Sequence, residues 1–441
     1  MRPLRELART VDDPPPDRDR YIDLLRLATI AIVIFSHWLA AVVTEDAQNR
    51  PMEHSALPSL PWAAPFTWLF QWVPVFFVVT GCTDAALLRV DRRKGRGATS
   101  WLQSRGGRLV PTATVLLLVI AAGAAVATLA GADPVAVRGA VRTATMPLWF
   151  LTVYLVLVVL TPVMHRLHER FGVWVIVVLV VLVGLGDTAR FAGISTLAAG
   201  NYLFGWLAIH QAGFFWQDGR LRFNRRTSLA LLAGSLAVVV LLTVPGPYPV
   251  TMIDVEGQQT KNVAPPSLAL LALTAAHLCV VFLLRDRAER WLRRRRPWQF
   301  VVFVNGVALT TFLWHMSAVL VVFGPLWAAH ALPRPPVGSW DWWAWRVPWL
   351  LLLTVALAVL VVVFGSVELR LRGDEWPHLR VPARLHLPLA VAGYLAAIAG
   401  LMVNSLVKPS DPQPLGLPVA TLACFLSGAL VLRLLRGSHE V

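Results

Sequence analysis

Apolar residues occur along the chain in blocks of about twenty, separated by short polar segments. A block of that length matches the ~20 residues that an α-helix needs to cross a bilayer. Transmembrane β-strands would instead alternate apolar and polar residues, and these blocks do not. The pattern therefore predicts an all-α fold, a polytopic transmembrane helix bundle of about 12 spans. The candidate spans cover approximately 22–43, 65–88, 109–131, 147–165, 172–187, 194–216, 227–246, 266–285, 299–325, 345–367, 386–407 and 417–435.

The polar segments between these blocks differ in their basic charge. Segments after odd-numbered spans, such as "TEDAQNRPMEH" and "DVEGQQTKN", hold little of it, whereas "RVDRRKGR", "RLRFNRR" and "RDRAERWLRRRR" after even-numbered spans are rich in arginine. Arginine-rich loops stay in the cytoplasm. The alternation predicts a multi-pass protein of the plasma membrane with both termini cytoplasmic, including a flexible N-terminal tail over residues 1–20.

The composition supports a membrane protein and argues against nucleic-acid binding. Hydrophobic residues make up 56% of the 441 residues, charged residues 15%, and the mean hydropathy is +0.61. The net charge of +15 comes from short clusters between the blocks, as expected of residues that orient helices. Only three of the 40 basic residues are lysine, which indicates a GC-rich bacterial genome. The three cysteines lie in separate apolar blocks, so we expect neither a disulfide framework nor a metal site.

Two ionisable residues stand inside the first span, "RYIDLLRLATIAIVIFSHW". Eleven residues separate Arg26 from His37, which turns a helix about 20° past three full turns. The two side chains should therefore share one helix face, ~16 Å apart along the axis. Taken singly, Arg26 could be an interfacial anchor and His37 a helix-packing residue. Their alignment favours a shared polar channel.

Further histidines lie in later spans. His315, in "ALTTFLWHMSA", is predicted to lie about sixteen residues into the ninth span, at the same depth as His37 in a parallel helix. The two could meet in the bundle core. His210 and His277 fall at other depths without a comparable partner, and we interpret them as structural.

Three other stretches carry candidate site residues. "PVFFVVTGCTDA" places Thr80 and Gly81 in the second span, where small residues let helix backbones approach closely. "RGGRLVP" places Arg105 and Arg108 just before the third span. Their guanidiniums suit a ligand that carries phosphate, although plain anchoring of the helix is the alternative.

The fourth and tenth spans add one candidate each. Trp149, in "MPLWFLTVY", is predicted near the depth of the two histidines. Glu368 ends the tenth span, level with Arg26, and is a possible ion-pair partner for it.

Together these stretches resemble the acyltransferase-3 family of integral membrane acyltransferases. The family's Arg/Lys-x10-His motif is similar to Arg26 and His37, and its FFxxSG stretch is similar to "FFVVTG", with Thr80 in place of serine. "RGGRLVP" matches the basic R-x-x-R stretch, "LWFL" the aromatic stretch, "FLWH" the late histidine and "SVELR" the terminal glutamate. The matches cover residues 20 to 370, about four-fifths of the chain.

The resemblance implies a membrane domain over residues 21–370, followed by an additional two-helix segment over 371–441. Two features depart from the family pattern. Two more spans follow the ten of the family core, and Asp84 stands in "TGCTDA", where the family is normally apolar.

The resemblance also implies an activity, the transfer of an acyl group, with acetyl as the expected case, from cytoplasmic acyl-CoA to a hydroxyl. We expect acyl-CoA as co-substrate, no permanently bound cofactor and no metal. Partners would be a carbohydrate, glycolipid or small-molecule acceptor and membrane lipids, without nucleic acid. The resemblance implies that His37 is the general base and that His315 assists His37 or the acyl carbonyl. Arg26, Arg105 and Arg108 would bind the CoA phosphates. Trp149, Thr80 and Glu368 would support the site.

Two other classes of function stay open at this stage. Twelve spans with both termini inside is also a secondary-transporter layout, in which Arg26 and His37 would form a polar or proton pathway. A non-catalytic export partner is the third possibility. The sequence shows no matching halves of the kind that many transporters have.

Overall fold

A computed structural model of the chain describes residues 19–45, 50–221, 223–255, 258–373, 381–406, 413 and 418–435. Almost all of these residues are helical. The helices are α1 Arg20–Ala40, α2 Thr67–Phe70, α3 Val73–Arg93, α4 Ala98–Leu129, α5 Pro134–Thr145, α6 Leu148–Phe171, α7 Val173–Phe191, α8 Ser195–Ala198, α9 Asn201–Gln217, α10 Arg225–Thr243, α11 Leu268–Leu292, α12 Arg295–Gly306, α13 Ala308–Ala328, α14 Trp340–Gly373, α15 Ala383–Leu406 and α16 Val419–Leu434.

The predicted fold class is confirmed. Within the described residues, ten helices are long and apolar enough to cross a membrane. The apolar helices α9, of 17 residues, and α16, of 16 residues, occupy the sixth and twelfth predicted spans. Each of the twelve apolar blocks is therefore helical, because a helix satisfies its own backbone hydrogen bonds where water is absent.

Three local features differ from the predicted pattern. The ninth predicted span, 299–325, is divided into α12 and α13 by a break at Gly306 and Val307. Residues Ala41–Glu45 and Pro51–Ser55 form a two-stranded sheet, β1–β2, after α1. The short helix α5 was not predicted; Asp133 caps it by accepting hydrogen bonds from the backbone N–H groups of Val135 and Ala136.

Contacts divide the described chain into two units. Unit 1 contains the described residues up to His37, then Ser55–Val90 and Thr161–Gly306, and unit 2 contains Trp38–His54, Asp91–Leu160 and the described residues from Val307 onward. Each unit combines segments that are far apart in the sequence. The division therefore gives no test of the predicted boundary between residues 370 and 371.

One carboxylate organises the connections between helices in unit 1. Asp187, near the end of α7, is buried and accepts four hydrogen bonds, from the side chains of Arg190, Asn201 and Tyr248 and from the backbone N–H of Leu268. These donors belong to α7, α9, the 244–267 segment and the start of α11. Asp187 therefore joins four separate parts of unit 1 at one point.

The two C-terminal helices pack tightly in unit 2. A Cβ placed on Gly428 of α16 would come within 2.5 Å of the Gly393 carbonyl oxygen on α15, so these backbones are nearly in contact. Both helices also contact α4, where the Tyr394 hydroxyl donates to the Leu102 carbonyl and Gln103 donates to the Leu435 carbonyl. The two helices are thereby integrated into unit 2.

Candidate active site

Helix α1 carries Arg26 and is fixed in unit 1 by its first residues. Arg20 donates to the Leu292 carbonyl and lies over the Trp298 ring, and the Tyr21 hydroxyl donates to the Val281 carbonyl. Both partner carbonyls lie on α11. These contacts set the position of α1 before Arg26 is reached.

The Arg26 guanidinium has a neutral hydroxyl as its short contact. Its Nη2 donates to Thr83 Oγ1 on α3 at 2.7 Å, while Nη1 lies 3.8 Å from the Asp23 carboxylate one turn earlier on α1. The Arg26 side chain keeps 30% of its surface exposed. Thr83 was not among the predicted site residues, although the quoted stretch "TGCTDA" contains it. The arrangement joins α1 to α3 and leaves guanidinium N–H groups available to a ligand.

His37 lies on the same unbroken helix as Arg26. The helix runs from Arg20 to Ala40 without interruption, so the predicted separation of ~16 Å along its axis holds. His37 is partly buried. Phe35, two residues earlier, is exposed and its ring lies 6.2 Å from that of Phe70.

Helix α3 approaches α9 closely beside Thr80. A Cβ on Gly81 would lie 2.0 Å from the His210 carbonyl oxygen, and one on Gly213 would lie 2.1 Å from the Val78 carbonyl oxygen. The buried Thr80 hydroxyl donates to the Phe76 carbonyl of its own helix. The small residues predicted to permit close approach do so at this crossing.

The same crossing explains the acidic residue that departs from the family pattern. Asp84 is fully buried, and its Oδ2 lies 3.4 Å from His210 Nε2. His210 thus has a partner in the membrane-embedded part of unit 1. The sequence offers no other histidine at a matching depth as a partner for His210. Its partner in the structure is an aspartate on a neighbouring helix.

A second histidine–carboxylate pair lies at the end of α9. His168 Nε2 contacts Asp218 Oδ2 at 2.8 Å, Gln211 lies 2.7 Å from His168 Nδ1, and Arg89 pairs with Asp218. Burial alone would raise the pKa of Asp218, but the hydrogen bonds from His168 and Arg89 lower it below the ordinary value. This network was not predicted, because its members come from three helices, α3, α6 and α9, whose packing is not visible in the sequence.

His315 lies in unit 2, seven residues after α13 begins, and is fully buried. Its Nδ1 is bonded to the Phe312 carbonyl oxygen. A carbonyl only accepts, so the proton is assigned to Nδ1, and the neutral form of the ring then has its lone pair on Nε2. The comparison of its depth with that of His37 assumed one continuous span over 299–325, and the break before α13 removes that basis.

Two contacts position His315 within unit 2. The Trp38 indole, next in sequence to His37, donates to the His315 carbonyl at 2.9 Å. The ring of Phe312 lies 5.5 Å from that of His315 and 4.6 Å from that of Phe150 on α6. Phe150 follows Trp149, so the "LWFL" and "FLWH" stretches are in contact through these rings.

The remaining predicted residues fall into three cases. Arg105 lies on α4 in unit 2, with its guanidinium 4.6 Å above the Trp101 ring. Trp149 is partly buried and packs against Phe150 at right angles. The side chains of Arg108 and Glu368 lie outside the described residues, so the predicted pairing of Glu368 with Arg26 is untested.

These residues lie on the helices that a known family model covers. The family whose model is described as an acyltransferase domain matches residues 19–367. The chain belongs to the acyltransferase-3 family. No curated protein and no solved structure matches the chain. The match begins before α1 and ends within α14, so Arg26, Thr83, His37 and His315 all lie inside it.

Membership in the acyltransferase-3 family defines the class of activity. The protein is a membrane acyltransferase, a transferase whose site must be built from transmembrane helices and short connections. This confirms the resemblance inferred from the motifs.

Proposed function

We propose that the protein transfers an acyl group, acetyl in the expected case, from cytoplasmic acyl-CoA to a hydroxyl of a carbohydrate, glycolipid or related acceptor on the outer side of the plasma membrane. Both termini face the cytoplasm in this proposal. The arginine-rich ends of the helices are then cytoplasmic, which places Arg26 near the inner surface and His37 in the outer half of the membrane.

The observation that carries the proposal is the arrangement on α1. One unbroken helix presents a guanidinium, held by a neutral hydroxyl, and an imidazole ~16 Å further along its axis. Guanidinium groups bind phosphate through paired N–H donors. The separation suits the extended pantetheine arm of CoA, with its phosphates at Arg26 and its thioester at His37. Arg105 and Arg108 are the further candidates for the CoA phosphates.

His37 acts as the general base in this proposal. Imidazole is the usual base for a hydroxyl near neutral pH. The acceptor oxygen forms a bond to the thioester carbonyl carbon while His37 takes the hydroxyl proton. Collapse of the tetrahedral intermediate breaks the carbon–sulfur bond, and the CoA thiolate leaves with the electron pair and receives the proton from His37. No acyl-enzyme intermediate is required.

The tautomer of His315 narrows the role proposed for it. With the proton on Nδ1, the neutral ring cannot donate from Nε2 to the acyl carbonyl. Nε2 can accept a hydrogen bond, so we propose an orienting and accepting role for His315 in preference to stabilisation of the carbonyl oxygen.

Membranes incubated with radiolabelled acetyl-CoA test the proposal. The wild type should transfer label to a lipid or glycan fraction, and His37→Ala should reduce the transfer by about 10²- to 10⁴-fold, because the base is lost. Ser36→Ala is the matched control, since among the described residues the Ser36 hydroxyl bonds to the Val33 carbonyl of its own helix and to no other group. Full transfer by the His37→Ala protein, at equal expression, would contradict the assignment of the base.

A further inference from the structure

The start of α14 is rich in tryptophan, and three of its residues share one face. The segment "SWDWWAWRVPW" begins the helix. At about 100° per residue, Trp342, Arg346 and Trp349 fall within about 60° of one another around the axis. The helix therefore presents a guanidinium between two indoles, one turn apart along its length.

Arg346 is buried with only part of its guanidinium satisfied. It is 6% exposed, its Nη1 donates to the Ala41 carbonyl at 2.7 Å, and its guanidinium carbon lies 4.2 Å above the Trp342 ring. Its Nε is buried and has no hydrogen-bond acceptor among the described residues. Nor does a described carboxylate pair with it. A buried charge without an anion is unfavourable, so the site is incomplete as it stands.

The two indoles lack acceptors in the same way. Trp342 is 2% exposed and Trp349 is 3% exposed, and neither Nε1 has an acceptor among the described residues. Indole and guanidinium N–H groups can only donate. One face of α14 thus holds three unsatisfied donors and one positive charge, and its missing component is a negatively charged group of acceptor oxygens.

A phosphate fits this face better than a sugar hydroxyl does. Phosphate oxygens accept several hydrogen bonds and supply the negative charge, whereas a hydroxyl brings a donor of its own and no charge. The same segment also exposes Val347 and Leu351, each to 63%, on the opposite side of the helix, as expected where a helix faces hydrocarbon chains. A helix placed in this way meets lipids, whose phosphates carry the charge that Arg346 lacks.

We propose that Trp342, Arg346 and Trp349 bind the phosphate of an outer-leaflet lipid. This location rests on the membrane orientation given under the proposed function. The site adjoins the contacts of His315, because the Ala41 carbonyl that binds Arg346 lies three residues after Trp38, which binds the His315 carbonyl. A lipid-linked acceptor held by its phosphate would therefore have its head group close to the backbone of His315.

Native mass spectrometry of the purified full chain tests the site with two probes that share the same tails. Dioleoyl phosphatidic acid carries a phosphate and dioleoylglycerol does not. We expect the wild type to bind phosphatidic acid about tenfold more tightly or better, since hydrogen bonds to charged groups are strong. Arg346→Gln, Trp342→Phe and Trp349→Phe should each reduce that binding to the level of dioleoylglycerol or close to it.

Trp345→Phe is the matched control. This variant removes an indole from the same helix. The Nε1 of Trp345 does not belong to the set of buried donors that lack an acceptor, so binding of phosphatidic acid should be unchanged. The two phenylalanine variants retain Arg346 and its bond to Ala41, which keeps the test valid even if Arg346→Gln misfolds. Equal binding of the two probes by the wild type, or an equal loss in Trp345→Phe, would overturn the proposal. Displacement of the lipid by inorganic phosphate at matched affinity would overturn the assignment to a lipid.

The test separates this proposal from the proposed function. Lipid binding needs no acyl transfer, and His37→Ala should bind phosphatidic acid as the wild type does. A protein that binds phosphatidic acid but transfers no label from acetyl-CoA would contradict the proposed function alone. A protein that transfers label but does not distinguish the two probes would contradict the lipid site alone.

Discussion

At the scale of single residues, the contact between Arg26 and Thr83 is the one on which the proposed binding of a donor to α1 depends. A carboxylate close to the guanidinium would compete with a ligand phosphate, whereas a hydroxyl orients the guanidinium without neutralising it. Asp23 lies 3.8 Å from Nη1 and provides the weaker contact. Arg26 therefore keeps a net positive field toward a ligand.

Removal of the Thr83 hydroxyl should impair donor binding selectively. We expect Thr83→Val to raise the KM for acetyl-CoA about three- to tenfold, because the guanidinium loses a hydrogen bond that orients it, with little change in the KM for the acceptor. Steady-state transfer assays at varied donor and acceptor concentrations measure both constants. Thr114→Val is the control, since in the part of the chain that the structure describes the Thr114 hydroxyl bonds to the Val110 carbonyl of its own helix alone. A larger effect on the acceptor would reassign Arg26.

The pair of His168 and Asp218 predicts a dependence of stability on acid. The pKa of Asp218 is lowered, so its carboxylate stabilises the fold above the unfolded pKa of about 3.9, and that contribution is lost as pH falls through the lower folded pKa. Asp218→Asn should therefore lower the Tm at pH 7, and the difference from wild type should shrink below about pH 4. Thermal unfolding in detergent across this range measures it.

Asp91→Asn is the matched control for that measurement. Asp91 pairs with Arg96 at 3.4 Å, in an ion pair whose arginine is 55% exposed. Such surface pairs contribute at most about 1 kcal/mol, so its Tm should stay close to that of the wild type. A constant difference between Asp218→Asn and wild type at every pH would contradict the role given to the Asp218 carboxylate.

At the scale of elements, the crossing of α3 and α9 depends on glycine. Gly81→Ala places a Cβ about where the His210 carbonyl oxygen lies, so the two helices must separate, which also stretches the pair of Asp84 and His210. We expect a lower Tm and reduced acyl transfer, since α3 also carries Thr83. The loss of stability should be in the range of ~1–3 kcal/mol that overpacked cores show.

Gly123→Ala provides the comparison for this variant. Gly123 lies within α4, and a Cβ there meets nothing within 4 Å. Alanine is the better helix former by about 1 kcal/mol, so this variant should be as stable as the wild type or more so. Similar Tm values for the two alanine variants would show that the close approach at Gly81 does not matter for stability.

The position of each apolar helix was largely predictable from the sequence, because the length of an apolar block is set by the bilayer. Helices α4 and α14 extend beyond their predicted spans, 109–131 and 345–367. The break between α12 and α13 was not predictable, since apolar residues continue through Gly306 and Val307 and give hydropathy no signal. The β1–β2 sheet and α5 were also missed. β1 begins inside the apolar block 22–43, where a helix was predicted, and β2 and α5 lie in segments that were interpreted as loops.

The candidate site was predictable as a set of residues but not as a set of contacts. The spacing of Arg26 and His37 places both on one face of one helix. The partner of Arg26 depends on which helix packs beside α1, and that information is not local. Asp84 gave a usable signal, because a carboxylate inside an apolar block requires a partner. That this partner is His210 follows from the packing of α3 against α9, which the sequence does not show.

At the scale of the whole molecule, the alternation of basic loops predicts which connections face each side. Lys94 follows α3 and Ala331 follows α13, and both are exposed. In intact cells a membrane-impermeant maleimide should label a cysteine at position 331 and not one at position 94. The Lys94→Cys protein should react only after the cells are opened.

The native cysteines allow this measurement with little background. Cys82 and Cys279 are buried, so only Cys424 needs replacement before the test. Labelling of position 94 from outside would invert the proposed topology. The donor site at Arg26 would then face away from the cytoplasm, where acyl-CoA is made.

The four hydrogen bonds to Asp187 impose an order on biosynthesis. Its last partner, Leu268, is 81 residues further along the chain. At synthesis rates of about 5–20 residues per second, the α7 segment waits roughly 4–16 s for that partner to emerge from the ribosome. During this interval the carboxylate lacks the Leu268 donor, although Arg190 is already present on the same helix. Unit 1 therefore cannot mature helix by helix as each span enters the membrane, and its completion depends on the arrival of α11.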